Sequence, residues 1–302
     1  MINFTFFNLE CFKKVRALLL RLAIYIFAIA VGYLSINYLP IDSFVLKVFL
    51  MDVVATIIIW IFTLIFKNTS IYDPYWSVIP MAISFYAFFH YGNYTFINTL
   101  YLFVLNIWSL RLTINWCIVF TGFDYEDWRY RHYRESLSKP LFHLVNFTGL
   151  QMIPTLIVFA SLTPMFSLFN CSSNNYFSLI GIAIIIFGIL MELFADHQMH
   201  TFLKETKEKV TCRKGLWKYS RHPNYLGEIS IWVGTFITMI FAAPQYWYLG
   251  FGMILMICLF LFISIPLAEK RQLQRRKDFA DYRKTTSMLL LVPPRKMKNE
   301  EK

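Results

Sequence analysis

Ser220-Arg221-His222-Pro223-Asn224-Tyr225-Leu226-Gly227-Glu228 leads straight into an apolar stretch that continues to about residue 243. Pro223 suits the first turn of a helix, where its missing N–H has no intrahelical partner to lose. The segment therefore reads as a helix start whose free N–H groups and positive dipole end lie beside Arg221 and His222. One turn further in, Glu228 carries a carboxylate into a segment long enough to cross a bilayer. Such a group is costly without partners, and by default it marks a functional site.

The rest of the chain fits a membrane setting. Its 302 residues are 57% hydrophobic, 19% aromatic and 16% charged, with mean hydropathy +0.50. A soluble domain carries about 25% charged residues, so the chain is read as an integral membrane protein. Apolar stretches fall near 17–39, 44–66, 95–120, 142–168, 176–196, 226–243 and 246–267, with a shorter one at 75–91 that crosses, is re-entrant or is interfacial. Each of the long ones is near the roughly 20 residues that a crossing needs. The expectation is an all-α polytopic transmembrane bundle of seven or eight helices.

Lys13, Lys14, Arg16 and Arg21 flank the first stretch. That stretch is too long for a signal core and no small-residue cleavage pattern follows, so it is expected to stay as a helix. Loops 40–43, 91–94, 169–175 and 244–245 contain no Lys or Arg. The alternate loops hold Lys67, the group from Arg129 to Lys139, and a dense run from Lys204 to Arg221. Eight crossings with both termini cytosolic satisfy this bias. The net charge of +11 then belongs mostly to one membrane face and does not argue for nucleic acid. The five cysteines show no metal or redox spacing. Residues 1–69 are read as N-terminal helices, 70–295 as the functional membrane domain and 296–302 as a disordered tail.

Ionisable residues gather toward the expected cytosolic half: Asp73, Arg111, Glu192, Asp196, Glu228 and Glu269. Glu192, Asp196 and His200 are spaced i, i+4, i+8, and Asn224 and Glu228 are spaced i, i+4, so each set shares a helix face. These stripes bracket the loop 197–223. Arg221 and His222 at the helix start suit a phosphate-bearing ligand, whereas Arg213 and Lys214 suit lipid headgroups. His197 and His200 lack a second ligand cluster, so no metal is expected. Asp52 stands in the second apolar stretch without an evident partner.

The run Gly215–Glu228, with Ser70-Ile71-Tyr72-Asp73-Pro74-Tyr75-Trp76-Ser77, Trp108-Ser109-Leu110-Arg111-Leu112, Ile265-Pro266-Leu267-Ala268-Glu269-Lys270-Arg271 and Tyr282–Ser287, resembles the steroid 5-alpha-reductase-like membrane proteins. It is most similar to the branch known as DUF1295. The resemblance implies a helical membrane oxidoreductase that takes NADPH from the cytosol and reduces a carbon–carbon double bond conjugated to a carbonyl in a lipid. It carries cofactor roles to Arg111, Asp196, Asn224 and Glu228, with Asn224 at the nicotinamide end and Asp196 at the ribose. Tyr219, Arg221 and the region from Arg271 to Tyr282 follow along the dinucleotide. Glu192, His222 and Tyr225 complete the candidate cofactor set.

Two positions depart from the steroid enzymes. Trp108 replaces the tyrosine that polarises their substrate carbonyl, and Glu192 replaces an asparagine. Their catalytic glutamate maps loosely onto Asp73. Hydride addition drives negative charge onto the carbonyl oxygen, so a donor must be aimed there. Asp73, Tyr72 and Tyr75 are the candidates for that acid.

Two rivals remain. Isoprenylcysteine carboxyl methyltransferases share an Arg-His-Pro-x-Tyr-x-Gly pattern and use S-adenosylmethionine, but they carry a paired Glu-Glu where this chain has Glu269-Lys270. A lipid-binding or transport protein would need polar groups through both membrane halves, and the outer half shows almost none beyond Asp52. Partners are expected to be a lipid-like small molecule and the surrounding lipids. The expected location is the inner membrane of a bacterium or the endoplasmic reticulum of a eukaryote.

Overall fold

A computed structural model describes residues 2–206 and 208–295, with side chains from residue 12 onward. The tail at 296–302, expected to be disordered, lies outside the described residues. The chain is an all-α polytopic membrane protein. Seven helical segments among the described residues are long and apolar enough to cross a bilayer: 12–37, 44–65, 96–119, 139–169, 178–205, 223–242 and 244–275. The expected short stretch is α3 (Tyr75–Tyr91), 17 residues with Pro80 inside. The chain divides into two compact units, residues 1–91 with 105–159, and residues 92–104 with 160–302.

The first unit holds α1 (Ile2–Asn37), α2 (Phe44–Ile65), α3, the later part of α4 (Phe96–Val119), α5 (Trp128–Ser136), α6 (Lys139–Phe147) and the first turns of α7 (Ile153–Phe169). The Ser43 hydroxyl caps α2 by accepting from Leu46 N at 3.3 Å. Between α2 and α3 the chain turns through Lys67, whose φ of 50° lies in the left-handed region. Asn68 then fixes the turn: its carboxamide accepts from Ser70 N at 2.9 Å and donates to Phe123 O at 2.7 Å and Tyr125 O at 3.0 Å. Glu126, held by Arg134 at 2.7 Å, accepts from Thr69 N at 2.8 Å. Two loops distant in sequence are thus tied together, and the tie places Tyr72 and Asp73.

Arg21, read above as part of the basic flank, is buried instead. Its guanidinium lies over the rings of Trp116, Phe120 and Phe123, at 5.0, 4.0 and 4.7 Å from their centroids. The weakly hydrated guanidinium plane tolerates such a site where an ammonium would snorkel to water.

The second unit holds the start of α4, the end of α7, α8 (Ser178–Glu205), α9 (Pro223–Ala242), α10 (Gly250–Leu259), α11 (Ile265–Arg275) and α12 (Phe279–Thr285). A wide π turn at 260–264 joins α10 to α11, just ahead of Pro266, which has no N–H to continue the ladder. The helix α8 runs well past the apolar stretch expected near 176–196, so Glu192, Asp196 and His200 share one continuous helix.

The seam between α8 and α9 is cut by glycines. A Cβ on Gly188 would meet Gly227 O at 2.6 Å, and one on Gly227 would meet Gly188 O at 2.7 Å. Seven residues away on each helix, Gly181 and Gly234 repeat the contact, with Gly181 O at 2.6 Å from a Cβ on Gly234. Small residues let helix backbones approach where lipid supplies no hydrophobic drive. This seam brings Glu192 of α8 against Gly227 of α9, next to Glu228.

Candidate functional site

In the first unit a buried polar network joins α2, α3 and α7. Tyr75 Oη donates to Asp52 Oδ1 at 2.8 Å, and Asp52 is 1% exposed. The other carboxylate oxygen of Asp52 is buried without a hydrogen-bond partner. A buried polar atom left unmet is rare and asks for a reason, such as a ligand or a proton. Tyr72 Oη pairs with Thr155 Oγ1 at 2.9 Å, and Thr155 Oγ1 pairs with Thr56 Oγ1 at 3.0 Å. The rings of Tyr72 and Tyr75 have centroids 5.7 Å apart, and Tyr25 from α1 meets Tyr75 edge-on at 5.7 Å. Tyr25 is itself held by donating to Ile71 O at 2.5 Å.

Asp73 belongs to a different cluster. Tyr130 Oη donates to its Oδ1 at 2.5 Å. Burial raises the Asp73 carboxyl to about 6, against the pull of Arg129 and the Tyr130 hydrogen bond, and Asp127 adds to the rise. Burial likewise pushes the Tyr130 hydroxyl well above its ordinary value. Asp127 caps α5 by accepting from Arg129 N at 2.9 Å, and it also accepts from Arg129 Nε at 2.8 Å. Of the three candidate acids, Tyr72 and Tyr75 therefore stand together and Asp73 stands with α5. Arg111 is half-buried on α4, one turn after the fully buried Trp108.

In the second unit the glycine seam sets Glu192 against Gly227: a Cβ there would meet Glu192 Cγ at 2.5 Å. Glu192 and Glu228 are each 3% exposed, and Asp196 and Asn224 are half-buried. Glu228 Oε1 accepts from Trp232 Nε1 at 2.9 Å, one turn on. Two buried carboxylates, a further acid and a carboxamide thus lie on one closely packed pair of helices. Acidic acceptors suit sugar hydroxyls, and a carboxamide offers a donor and an acceptor at once.

Arg221 and His222, expected to reach for a ligand, turn inward. Arg221 Nε donates to Glu269 Oε1 at 2.7 Å, and its Nη1 donates to Arg283 O at 2.9 Å and Thr286 O at 2.5 Å. His222 Nε2 lies 3.2 Å from the same Glu269 oxygen, and its ring stacks on Tyr225 at 5.2 Å. Tyr225 packs on Phe260 at 5.0 Å. The Tyr282 hydroxyl is bound to the carbonyls of Trp217 and, at 3.1 Å, Ser220. Tyr219 is exposed, and Arg271 is half-buried on α11. The helix start thus stands on a buried cluster around Glu269.

A family model described as "Protein of unknown function (DUF1295)" matches residues 59–286, well over half of the chain. The chain belongs to the DUF1295 family. Among the curated proteins it is similar to the uncharacterized protein C594.04c of Schizosaccharomyces pombe, 23% identical over 208 residues. That match takes in 60% of this chain and 60% of the relative, so the chain spans less than two thirds of the relative's length. No solved structure matches it significantly.

Two residues of this DUF1295 chain stand at the centre of these clusters without having been assigned a role from the sequence. Asp52 carried one signal, a carboxylate inside a spanning helix, but its partner Tyr75 is 23 residues away. Glu269 was visible as an acid closing the last helix. Its neighbours Arg221, His222 and Arg283 come from two distant segments.

Proposed function

We infer that this DUF1295 chain is a membrane oxidoreductase that reduces a carbon–carbon double bond conjugated to a carbonyl in a lipid, with NADPH as the reductant. The observation that carries the reading is the glycine-notched α8–α9 seam, which sets Glu192 against Gly227, next to the buried Glu228. The residues present fit such a group. Asn224 would hold the carboxamide of the nicotinamide, and Asp196 and Glu192 would accept from ribose hydroxyls. When bound, NADPH supplies the hydride. The chain itself must hold the ring, keep water out and meet the charge that develops on the carbonyl oxygen.

Tyr72 and Tyr75, the hydroxyl candidates for that task, stand together in the first unit, with the Tyr75 proton given to Asp52 and Tyr72 paired with Thr155. A tyrosine O–H is the ordinary donor to an oxyanion, and Trp108 at the family's tyrosine position cannot readily give up a proton. Asp73 serves the α5 cluster instead. The nucleotide would approach from the cytosol, with both termini on that side.

A second reading, methyl transfer from S-adenosylmethionine, draws on the stacked His222–Tyr225 pair and its bond to Glu269. Thermal unfolding in detergent separates the two, because a ligand that binds only the folded state must raise Tm. NADPH is expected to raise Tm and S-adenosylmethionine to leave it unchanged. Asn224→Ala and Glu228→Ala should each abolish the NADPH effect. Stabilisation by S-adenosylmethionine alone would replace the reductase reading.

A further inference from the structure

In the second unit the chain after α12 folds back along the loop that precedes α9. Arg221 N donates to Ser287 O at 2.9 Å, Ser220 Oγ donates to Leu289 O at 2.7 Å, and Arg295 N donates to Thr285 O at 2.8 Å. The fold-back encloses a cleft of about 310 Å³ lined by Arg221, Arg283, Lys284, Arg295 and the hydroxyl-bearing Thr286 and Ser287. The four cations there face two carboxylates. Glu269 takes Arg221 and Arg283, and Asp281 takes Lys284 at 3.2 Å.

The cations divide the work. The Arg221 side chain is 9% exposed and bonds to Glu269, Arg283 O and Thr286 O within the protein, so it forms the floor. Its two bonds to Arg283 O and Thr286 O also cover carbonyls at the C-terminal end of α12, whose partial negative charge would otherwise repel an anion. The side chains of Arg283 and Lys284 are 54% and 70% exposed, and with Arg295 they form the exposed rim. The cleft keeps two positive charges beyond what its carboxylates match. A phosphate monoester carries about −1.5 to −2 at pH 7, and arginine grips such a group through paired N–H donors.

We propose that this cleft is a phosphate-monoester site, with Arg283, Lys284 and Arg295 as its grip and Arg221 as its floor. The monoester can arrive on a nucleotide, as the 2′-phosphate that separates NADPH from NADH, or on a lipid, as the headgroup of phosphatidic acid. The nucleotide arm deepens the reductase reading, whereas the lipid arm is independent of it.

The test uses the full chain in neutral-lipid nanodiscs and a double variant at the exposed rim, Lys284→Gln with Arg295→Gln, which leaves the Glu269 cluster intact. In the nucleotide arm, NADPH should bind at least about tenfold tighter than NADH to the native protein. The double variant should cut that ratio to about threefold or less while leaving NADH binding unchanged. If neither nucleotide binds, the reductase reading fails and the lipid arm decides. There, phosphatidic acid should raise Tm by a few degrees over phosphatidylglycerol, a diester of equal abundance, and the double variant should erase the difference. The proposal is overturned if neither arm separates monoester from control, or if a separation survives in the double variant.

Discussion

Tyr75 and Asp52 constrain each other in a way that can be measured without knowing the substrate. Tyr75→Phe removes the donor to a buried carboxylate whose second oxygen already lacks one. Leaving buried acceptors unmet costs about 1–3 kcal/mol. Tyr75→Phe is therefore expected to lower stability by that amount, and by much less in an Asp52→Leu background. A double-mutant cycle in reversible detergent unfolding reads the difference, and equal losses in both backgrounds would break the pair. Asp73 gives a second prediction with a defined sign. Burial raises its carboxyl from 3.8 to about 6, so the folded state binds the proton more tightly than the unfolded chain. Its contribution to stability is then greatest below about pH 4 and is lost as pH rises toward 6, at most about 3 kcal/mol at 1.4 kcal/mol per unit. Asp73→Asn should remove that fall between pH 4 and 6, and an unaltered profile would show that Asp73 is not the group responsible. Neither environment could be read from the chain. The run Ser70–Ser77 announced Tyr72, Asp73 and Tyr75 together, but their separation into two clusters depends on Asp52, Thr155 and Tyr130, each brought in by a different helix.

The pair α8 and α9 was legible as two apolar stretches with polar stripes at helical spacing, and the two helices pack with Glu192 against Gly227. What the spacing did not show was how closely. The four glycines Gly181, Gly188, Gly227 and Gly234 allow backbone contact that any Cβ would block, because the nearest atoms would lie 2.2 to 2.6 Å away and several are backbone. Gly227→Val should force α9 off α8, costing about 1–3 kcal/mol or more by overpacking. It should also weaken nucleotide binding by shifting Asn224 and Glu228 away from Glu192. Gly149, between α6 and α7, is the control. A Cβ there meets only Val145 Cγ1 at 3.8 Å, so Gly149→Ala should be neutral or slightly stabilising from helix propensity. Thermal unfolding and NADPH titration of the two variants side by side check the contrast. If Gly227→Val behaved like Gly149→Ala, the close seam would have no part in placing the acids.

Orientation in the membrane turns on α3. Its 17 residues rise about 26 Å at 1.5 Å each, a few ångströms short of a typical hydrocarbon core of about 30 Å. Length alone would let it be a re-entrant segment, but charge argues for a crossing. If α3 did not cross, the loop with Arg129, Arg131 and Arg134 and the loop with Arg213, Lys214 and Lys218 would both lie opposite the basic start of α1. With α3 crossing, all of them share one face and the lysine- and arginine-free loops share the other, as the positive-inside bias requires. A core thinned locally by a few ångströms costs only a fraction of a kcal/mol per ångström, less than placing those basic loops on the wrong side. Membrane-impermeant maleimide applied to sealed membranes with their non-cytosolic face outward should therefore label Ser173→Cys in the loop between α7 and α8, and should reach Lys209→Cys only after permeabilisation. Both substitutions belong in a background with the native cysteines replaced. Labelling of Lys209→Cys from outside would place the start of α9 away from the cytosolic nucleotide pool. The reductase reading could not survive that result, whereas the lipid arm of the phosphate site could, since phosphatidic acid is available at either face.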